Sequence, residues 1–249
     1  MATATVMATA MVVTATDITK TIAILPCDNA YSSSLNASRR PASHSYECIM
    51  TLQPLTRRQM LIKRTFDLSI SILLLPFAII PLILLLVMAR ISTGAPGLFV
   101  QQRVGKDGVL FPVYKIRSLK GSYHMDIHAI QQSETSFGRW LRKSKLDEIP
   151  QLFNVLKGDM SLVGPRPDVE GYADRLTGED RIILTVRPGI TGPATLKYKD
   201  EDRLLAQQQD PMDYNDRVIW PDKVAINKQY IQDWSLKSDV YYLWASVFA

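Results

Sequence analysis

Asp147 and Glu148 are adjacent carboxylates. Arg139, Arg142, Lys143 and Lys145 precede them, and the stiff element Gly164-Pro165-Arg166-Pro167 follows. Each proline locks φ and restricts the residue before it, so Arg166 carries its guanidinium on a backbone with little freedom. Paired acids among fixed cations suit a divalent metal and a phosphorylated substrate. The competing explanation is structural: Ser144 with Asp147 three residues later is a capping pattern, and acids favour a helix N-terminus.

Several elements must position these side chains. The apolar run Leu152, Phe153, Val155 and Leu156 predicts a helix that Gly158 stops. Leu98 to Val104 and Val109 to Ile116 are strand candidates, and the link Gly105-Lys-Asp-Gly108 makes them a β-hairpin. Lys115 and Arg117 alternate on one face of its exit, as binding residues or as cations that blunt a strand edge. Phe137 to Lys143 reads as an amphipathic turn on a membrane, with Trp140 and Leu141 among basic residues. Asp168 to Arg181 reads as helical, Arg187 to Pro193 as a rigid loop, and Tyr198 to Asp216 as a polar, poorly ordered stretch. In the tail, Pro221 suits a first helical turn. Val224, Tyr230, Ile231 and Trp234 make one apolar stripe, and Leu236, Val240, Leu243, Trp244 and Val247 a second. Such stripes serve a core or, with this many aromatics, a membrane interface.

Leu68 to Ala89 is a run of 22 uncharged residues between Asp67 and Arg90. At about 1.5 Å per residue it could span a hydrocarbon core of about 30 Å. Against spanning, Pro76 and Pro81 sit mid-run, where each removes a backbone bond. Lys or Arg also flanks both ends, which favours keeping both at the cytoplasmic face. A re-entrant helix broken at Pro81 satisfies both facts, provided the freed backbone groups find partners. The formal net charge is +5 and uneven: Arg57 to Lys120 holds ten Lys or Arg against two Asp and no Glu. That bias suits anionic headgroups or phosphates. The basic residues flank an apolar run without interleaved aromatics, which argues against nucleic acid. Cys27 and Cys48 show neither metal-ligand spacing nor a disulfide framework. His124 and His128 are four apart, but without a third ligand nearby they read as a solvated face. Residues 1 to 55 are rich in Ala, Thr and Ser and read as a disordered extension, to which the sequence assigns no function.

The stretch from Lys145 to Pro167 resembles the signature of the bacterial sugar transferases, the monotopic polyprenyl-phosphate hexose-1-phosphate transferases. Lys63-Arg-Thr-Phe-Asp67, Tyr114-Lys-Ile-Arg-Ser118 and Val186-Arg-Pro-Gly-Ile-Thr-Gly192 extend the likeness from about Lys63 to the C-terminus. The resemblance implies a mostly helical α+β monotopic membrane domain over 56–249. Its parts are a proline-broken re-entrant helix near 63–91 and a catalytic part near 97–249 with a small hairpin and amphipathic interfacial helices. The family's break is usually Ser-Pro; here the pair is Ile80-Pro81.

The implied reaction moves a sugar-1-phosphate from a UDP-sugar to polyprenyl phosphate and releases UMP, at the cytoplasmic face of the inner membrane. Asp147 is then the nucleophile, Glu148 the Mg²⁺ ligand and Arg142 a phosphate contact. Pro165, Arg166, Pro167 and Arg187 would hold the nucleotide, and Lys115 and Arg117 the phosphates or headgroups. A second copy of the chain and downstream glycosyltransferases are further candidate partners. The alternative is a basic membrane-associated adaptor without catalysis.

Overall fold

The computed structural model describes residues 52–121 and 133–248. The readings at Cys27, Cys48, His124, His128 and most of the N-terminal extension lie outside them. Helix α1, Arg57–Thr93, opens on a capping box. Thr56 Oγ1 accepts from the Gln59 backbone N–H at 3.3 Å, and Gln59 Oε1 accepts from the Thr56 N–H at 2.8 Å. Gly94 ends the helix at φ 73°. Backbone assignment stays helical across Pro76 and Pro81. It is the one described helix long and apolar enough to cross a membrane.

The buried residues of α1 fall into two sets. Lys63, Asp67 and Ser71 recur every four residues and form a polar face, while Leu82, Leu85, Ala89 and Thr93 form a second face further on. Between the sets the helix is bare: Phe77 and Ile80 are each 76% exposed.

Charges dock the first set. Lys63 Nζ lies 2.6 Å from Asp239 Oδ2, with both side chains buried. Asp239 also accepts from Tyr230 Oη at 2.6 Å and Trp234 Nε1 at 3.1 Å. Asp67 Oδ1 accepts the Leu162 N–H at 3.1 Å. Arg64 donates to the carbonyls of Val155 and Leu156 at 2.6 and 3.1 Å. The second set packs apolar against Ile116 and Leu141.

Strands β1, Leu98–Val104, and β2, Leu110–Ile116, pair antiparallel as expected. Asp107 and Gly108 turn the hairpin at φ 59° and 81°. Helix α2, Ser136–Lys143, is the expected amphipathic turn, with Leu141 buried and Trp140 half-exposed. A 3₁₀ turn, Leu146–Glu148, follows. Next comes α3, Gln151–Lys157, which Gly158 ends at φ 101°. Buried Asn154 ties α3 to β2: its Nδ2 donates to the Pro112 carbonyl at 2.7 Å, and its Oδ1 accepts the Tyr114 N–H at 3.1 Å.

The segment Arg187 to Pro193, expected as a loop, contains a strand. β3, Ser161–Val163, and β4, Gly189–Thr191, pair in parallel. A Cβ on Gly189 would sit 2.1 Å from the Gly164 amide nitrogen, so glycine here permits backbones to touch. The helix expected over Asp168 to Arg181 is absent. Its region holds 3₁₀ turns at Ala173–Arg175 and Gly178–Thr185, because Gly171 and Gly178 take φ 105° and 58°.

Tyr198 to Asp216 is ordered, against expectation. It contains α5, Glu201–Ala206, and α6, Pro211–Tyr214, after the short α4, Pro193–Lys197. Side chains hold this stretch in place: Lys223 Nζ bonds both Glu201 oxygens at 2.7 Å, and Tyr198 Oη donates to Asp222 Oδ2 at 2.6 Å.

A π-helical turn, Asn215–Ile219, leads into α7, Trp220–Gln232, with Pro221 in its first turn. The first tail stripe is core: Val224, Tyr230, Ile231 and Trp234 are all buried. The second lies on α8, Leu236–Phe248, where Val240, Trp244 and Val247 are exposed.

Removing one member of a buried ion pair strands its partner's charge, typically at a cost of roughly 3–5 kcal/mol. Lys63→Met is therefore expected to lower the unfolding free energy of the detergent-solubilised protein by that order. A variant as stable as the wild type would show that the pair does not dock α1.

Candidate active site

The 3₁₀ turn that carries Asp147 and Glu148 is held from both ends. Behind it, Lys145 takes a left-handed conformation, with φ 55° and ψ 16°. Its N–H donates to the Arg142 carbonyl at 3.1 Å, and its carbonyl accepts the Glu148 N–H at 3.2 Å. Ahead of it, Pro150 leads into α3. The capping explanation fails on these contacts. Ser144 Oγ donates back to the Leu141 carbonyl at 3.0 Å, and neither the 3₁₀ turn nor α3 has a side-chain cap. Both carboxylates are buried instead, at 9% and 8% exposure.

Arg166 and Lys115 meet Glu148 from two other elements. Arg166 Nη2 donates to Glu148 Oε1 at 2.5 Å, and Lys115 Nζ lies 3.6 Å from the same oxygen. Lys115 comes from β2, whose neighbouring Tyr114 amide is pinned by Asn154. Pro165 and Pro167 flank Arg166, and the Pro165 carbonyl accepts the Gly189 N–H at 2.8 Å. The second motif, Val186 to Gly192, thus fixes the loop that carries the guanidinium.

Arg142, at the end of α2, bonds Asp202 Oδ2 of α5 at 2.6 Å while its charge is felt at Asp147. The structure therefore gathers Asp147, Glu148, Arg142, Arg166 and Lys115. The other two expected cations lie elsewhere. Arg187 Nε donates to the Gly158 carbonyl at 2.7 Å, at the C-terminal end of α3. Arg117 Nε donates to the Pro96 carbonyl at 2.8 Å, and its guanidinium stacks 5.3 Å from the Phe99 ring.

The two acids have different proton affinities. Burial and the Glu148 charge push Asp147 up to about 6, against the pull of Lys115, Arg166 and Arg142. Burial opposes the Glu148 charge too, but Arg166 and Lys115 outweigh it and hold that carboxyl at about 2. Glu148 is thus held as an anion down to strongly acidic pH, while Asp147 ionises only as the pH rises through about 6. Asp168, which follows Pro167, is likewise pushed up to about 6 by burial, against Lys223, Arg103 and Arg166.

No group of three or more His, Cys, Asp or Glu residues among those described forms a metal cage. An ionised Glu148 beside Asp147 still fits Mg²⁺, which is commonly held by one or two carboxylates with substrate phosphates supplying the rest. Sequence reasoning counted Lys145 among the cations before the acids but missed Asp168 and Asp202 as members of this cluster. Asp168 lies beside the signature with no spacing that marks it, and Asp202 is 60 residues from Arg142 in sequence.

Residues 58–249 match the family model described as bacterial sugar transferase, and the chain belongs to that family. It is 34% identical over 203 residues to an undecaprenyl-phosphate galactose phosphotransferase of Salmonella typhimurium, covering 74% of this chain and 39% of that protein. It is also 34% identical over 212 residues to an undecaprenyl-phosphate glucose phosphotransferase of Komagataeibacter xylinus, covering 80% and 37%. The chain thus spans well under half the length of these two relatives. A putative undecaprenyl-phosphate N-acetylgalactosaminyl 1-phosphate transferase of Bacillus subtilis matches at 35% over 182 residues, covering 68% of this chain and 96% of the relative.

A carboxyl whose folded pKa is raised stabilises the fold when protonated. Asp147's contribution is full below about pH 4 and is lost as the pH rises through about 6. In metal-free buffer at pH 8, Asp147→Asn is expected to be more stable than the wild type by roughly 1–3 kcal/mol, converging with it near pH 4. A destabilised variant at pH 8 would show that the ionised carboxylate is structural.

Proposed function

We propose that this protein transfers a sugar-1-phosphate from a UDP-sugar to polyprenyl phosphate, releasing UMP, in two steps through Asp147. The observation that carries the reading is the buried acid pair with its split proton affinities, faced by Arg142, Arg166 and Lys115 from three separate elements. The relatives named as undecaprenyl-phosphate sugar phosphotransferases support the lipid acceptor.

In the first step an Asp147 carboxylate oxygen bonds the sugar-bearing phosphorus, and the bond to the UMP oxygen breaks. UMP leaves with that electron pair. In the second step an oxygen of the polyprenyl phosphate bonds the same phosphorus and returns the Asp147 carboxylate. At pH 7 and above Asp147 is mostly ionised, as a nucleophile must be. Mg²⁺ held by Glu148 would neutralise phosphate charge as the bond to the leaving group weakens. Arg142 and Arg166 offer planar donors suited to phosphate oxygens.

Membrane attachment follows from α1. Its two ends pack on the same domain while residues between Ser71 and Leu82 stay bare, which supports a helix that enters and returns on one side. Pro76 and Pro81 each remove one N–H in that bare stretch, freeing the carbonyls of Ile72 and Phe77 where such a course must bend. The exposed Val240, Tyr241, Trp244, Val247 and Phe248 of α8 suit the interface plane beside the stem that Asp239 holds. On this reading the site lies at headgroup level on the cytoplasmic face of a bacterial inner membrane. There a water-soluble donor can meet a lipid-borne acceptor.

Three measurements test the reading. Magnesium-dependent UMP release from a UDP-sugar should require polyprenyl phosphate for multiple turnover, and Asp147→Asn should cut turnover by several orders of magnitude. Near wild-type conversion by that variant would remove Asp147 from the nucleophile's role. With the lipid withheld, donor labelled in its sugar phosphate should leave label on the wild-type protein; an unlabelled but active enzyme would mean direct transfer. In a chain whose Cys27 and Cys48 are replaced, single cysteines at Arg58 and Ile91 should both react from the cytoplasm. Opposite accessibility would mean that α1 spans.

A further inference from the structure

Lys145 stands two residues before Asp147 with φ 55°, a region that crowds any side chain's Cβ against the backbone. Among the described residues only Asp107 is also a non-glycine at positive φ, and it occupies a hairpin turn where aspartate is well tolerated. Glycine or asparagine would fill position 145 with less strain. The backbone takes this conformation where α2 gives way to the 3₁₀ turn, across Ser144 and Lys145. It does not need a lysine.

Glu148 does not need the lysine either. It is already matched by Arg166 at 2.5 Å and Lys115 at 3.6 Å. The Lys145 side chain is exposed, two residues from Asp147 and in the electrostatic field of Glu148, Arg166, Lys199 and Asp147. A cation so placed can move to meet an incoming phosphate without leaving Glu148 unpaired.

We infer that Lys145 is a further phosphate-binding residue of the reaction, its ammonium meeting the phosphate on which Asp147 acts. The inference rests on the phosphotransfer reading above. That phosphate reaches the site from two sources, the donor diphosphate and the lipid phosphate. In a two-step scheme each substrate has its own kcat/KM, so the two arms separate.

The test compares Lys145→Asn and Lys145→Arg in the full chain. The asparagine variant should keep or raise the unfolding midpoint, by up to about 3 °C, because asparagine relieves the left-handed strain. It should also lose roughly tenfold or more in kcat/KM, with UDP-sugar if the ammonium holds the donor and with polyprenyl phosphate if it holds the lipid. Lys145→Arg, which keeps the cation, should recover most of the activity. Wild-type kcat/KM for both substrates in the asparagine variant would overturn the inference. So would an arginine variant as impaired as the asparagine one. A wild-type chain inert toward both substrates would instead overturn the phosphotransfer reading itself.

Discussion

Two carboxylates on adjacent residues and out of water are a costly arrangement, and the rest of the site can be understood as what makes it tolerable. Desolvation alone would protonate both. Glu148 escapes because Arg166 and Lys115 converge on one of its oxygens, at 2.5 and 3.6 Å. Asp147 has no such direct partner, so its proton affinity rises while its neighbour's falls. The asymmetry follows from geometry: the Glu148 side chain meets the Pro-Arg-Pro loop and the strand that carries Lys115, and Asp147 meets neither directly. A pair divided in this way can hold one anion that persists to strongly acidic pH and one group that is ionised only above mild acidity, which suits a metal ligand beside a nucleophile.

That geometry depends on charges that never approach the site. Lys63, Arg64 and Asp67 each satisfy a group on a different element: Asp239 on α8, the C-terminal carbonyls of α3, and the Leu162 amide of β3. Arg187 adds a second donor at the end of α3, on Gly158. A helix C-terminus carries partial negative charge and unsatisfied carbonyls, so two guanidinium groups there are well placed. The consequence reaches the active site because α3 continues directly from the 3₁₀ turn. Its Asn154 in turn fixes the strand that delivers Lys115. The long apolar helix, the turn that carries the acids and the hairpin are thus joined through one seven-residue helix.

Much of this was legible in the sequence. The hairpin, the glycine-terminated helix after the acids, the amphipathic α2 and the core stripe of α7 follow from local pattern, and all are present. The acid pair was legible as chemistry, but local spacing could not decide between cap and catalyst. Ser144 lies within reach of two helix ends, and only the folded chain shows it bonding Leu141 behind it. Cations were the least legible class. Arg166 and Arg187 look alike on paper, each beside a proline and a nearby glycine, yet one meets Glu148 and the other meets a backbone carbonyl. The distinction depends on the parallel pairing of β3 with β4, two strands of three residues each, too short for any periodicity to announce. The order of Tyr198 to Asp216 was hidden for a similar reason. It comes from side-chain ties to α7, such as Lys223 with Glu201, and owes little to helical pattern.

The touching glycines show how two distant motifs become one object. Gly164 and Gly189 bring their backbones so close that a Cβ on Gly189 would fall 2.1 Å from a backbone nitrogen. The Gly189 amide then bonds the Pro165 carbonyl, one residue before Arg166. Prolines restrict the Arg166 backbone from within the chain, and this contact restricts it from across the sheet. An arginine held from both directions loses little further freedom when it meets Glu148 or a phosphate. The entropy cost of ordering a long side chain, about 1–2 kcal/mol, is then partly met by folding and not at binding. Lys115, carried on a strand whose adjacent amide is pinned by Asn154, is positioned on the same principle. Arg142 is not: it ends a short helix and bonds an exposed aspartate of α5. The backbone therefore pre-organises two of the site's cations around Glu148, whereas Arg142 acts on Asp147 from a short helix and is held by a partner that is itself exposed.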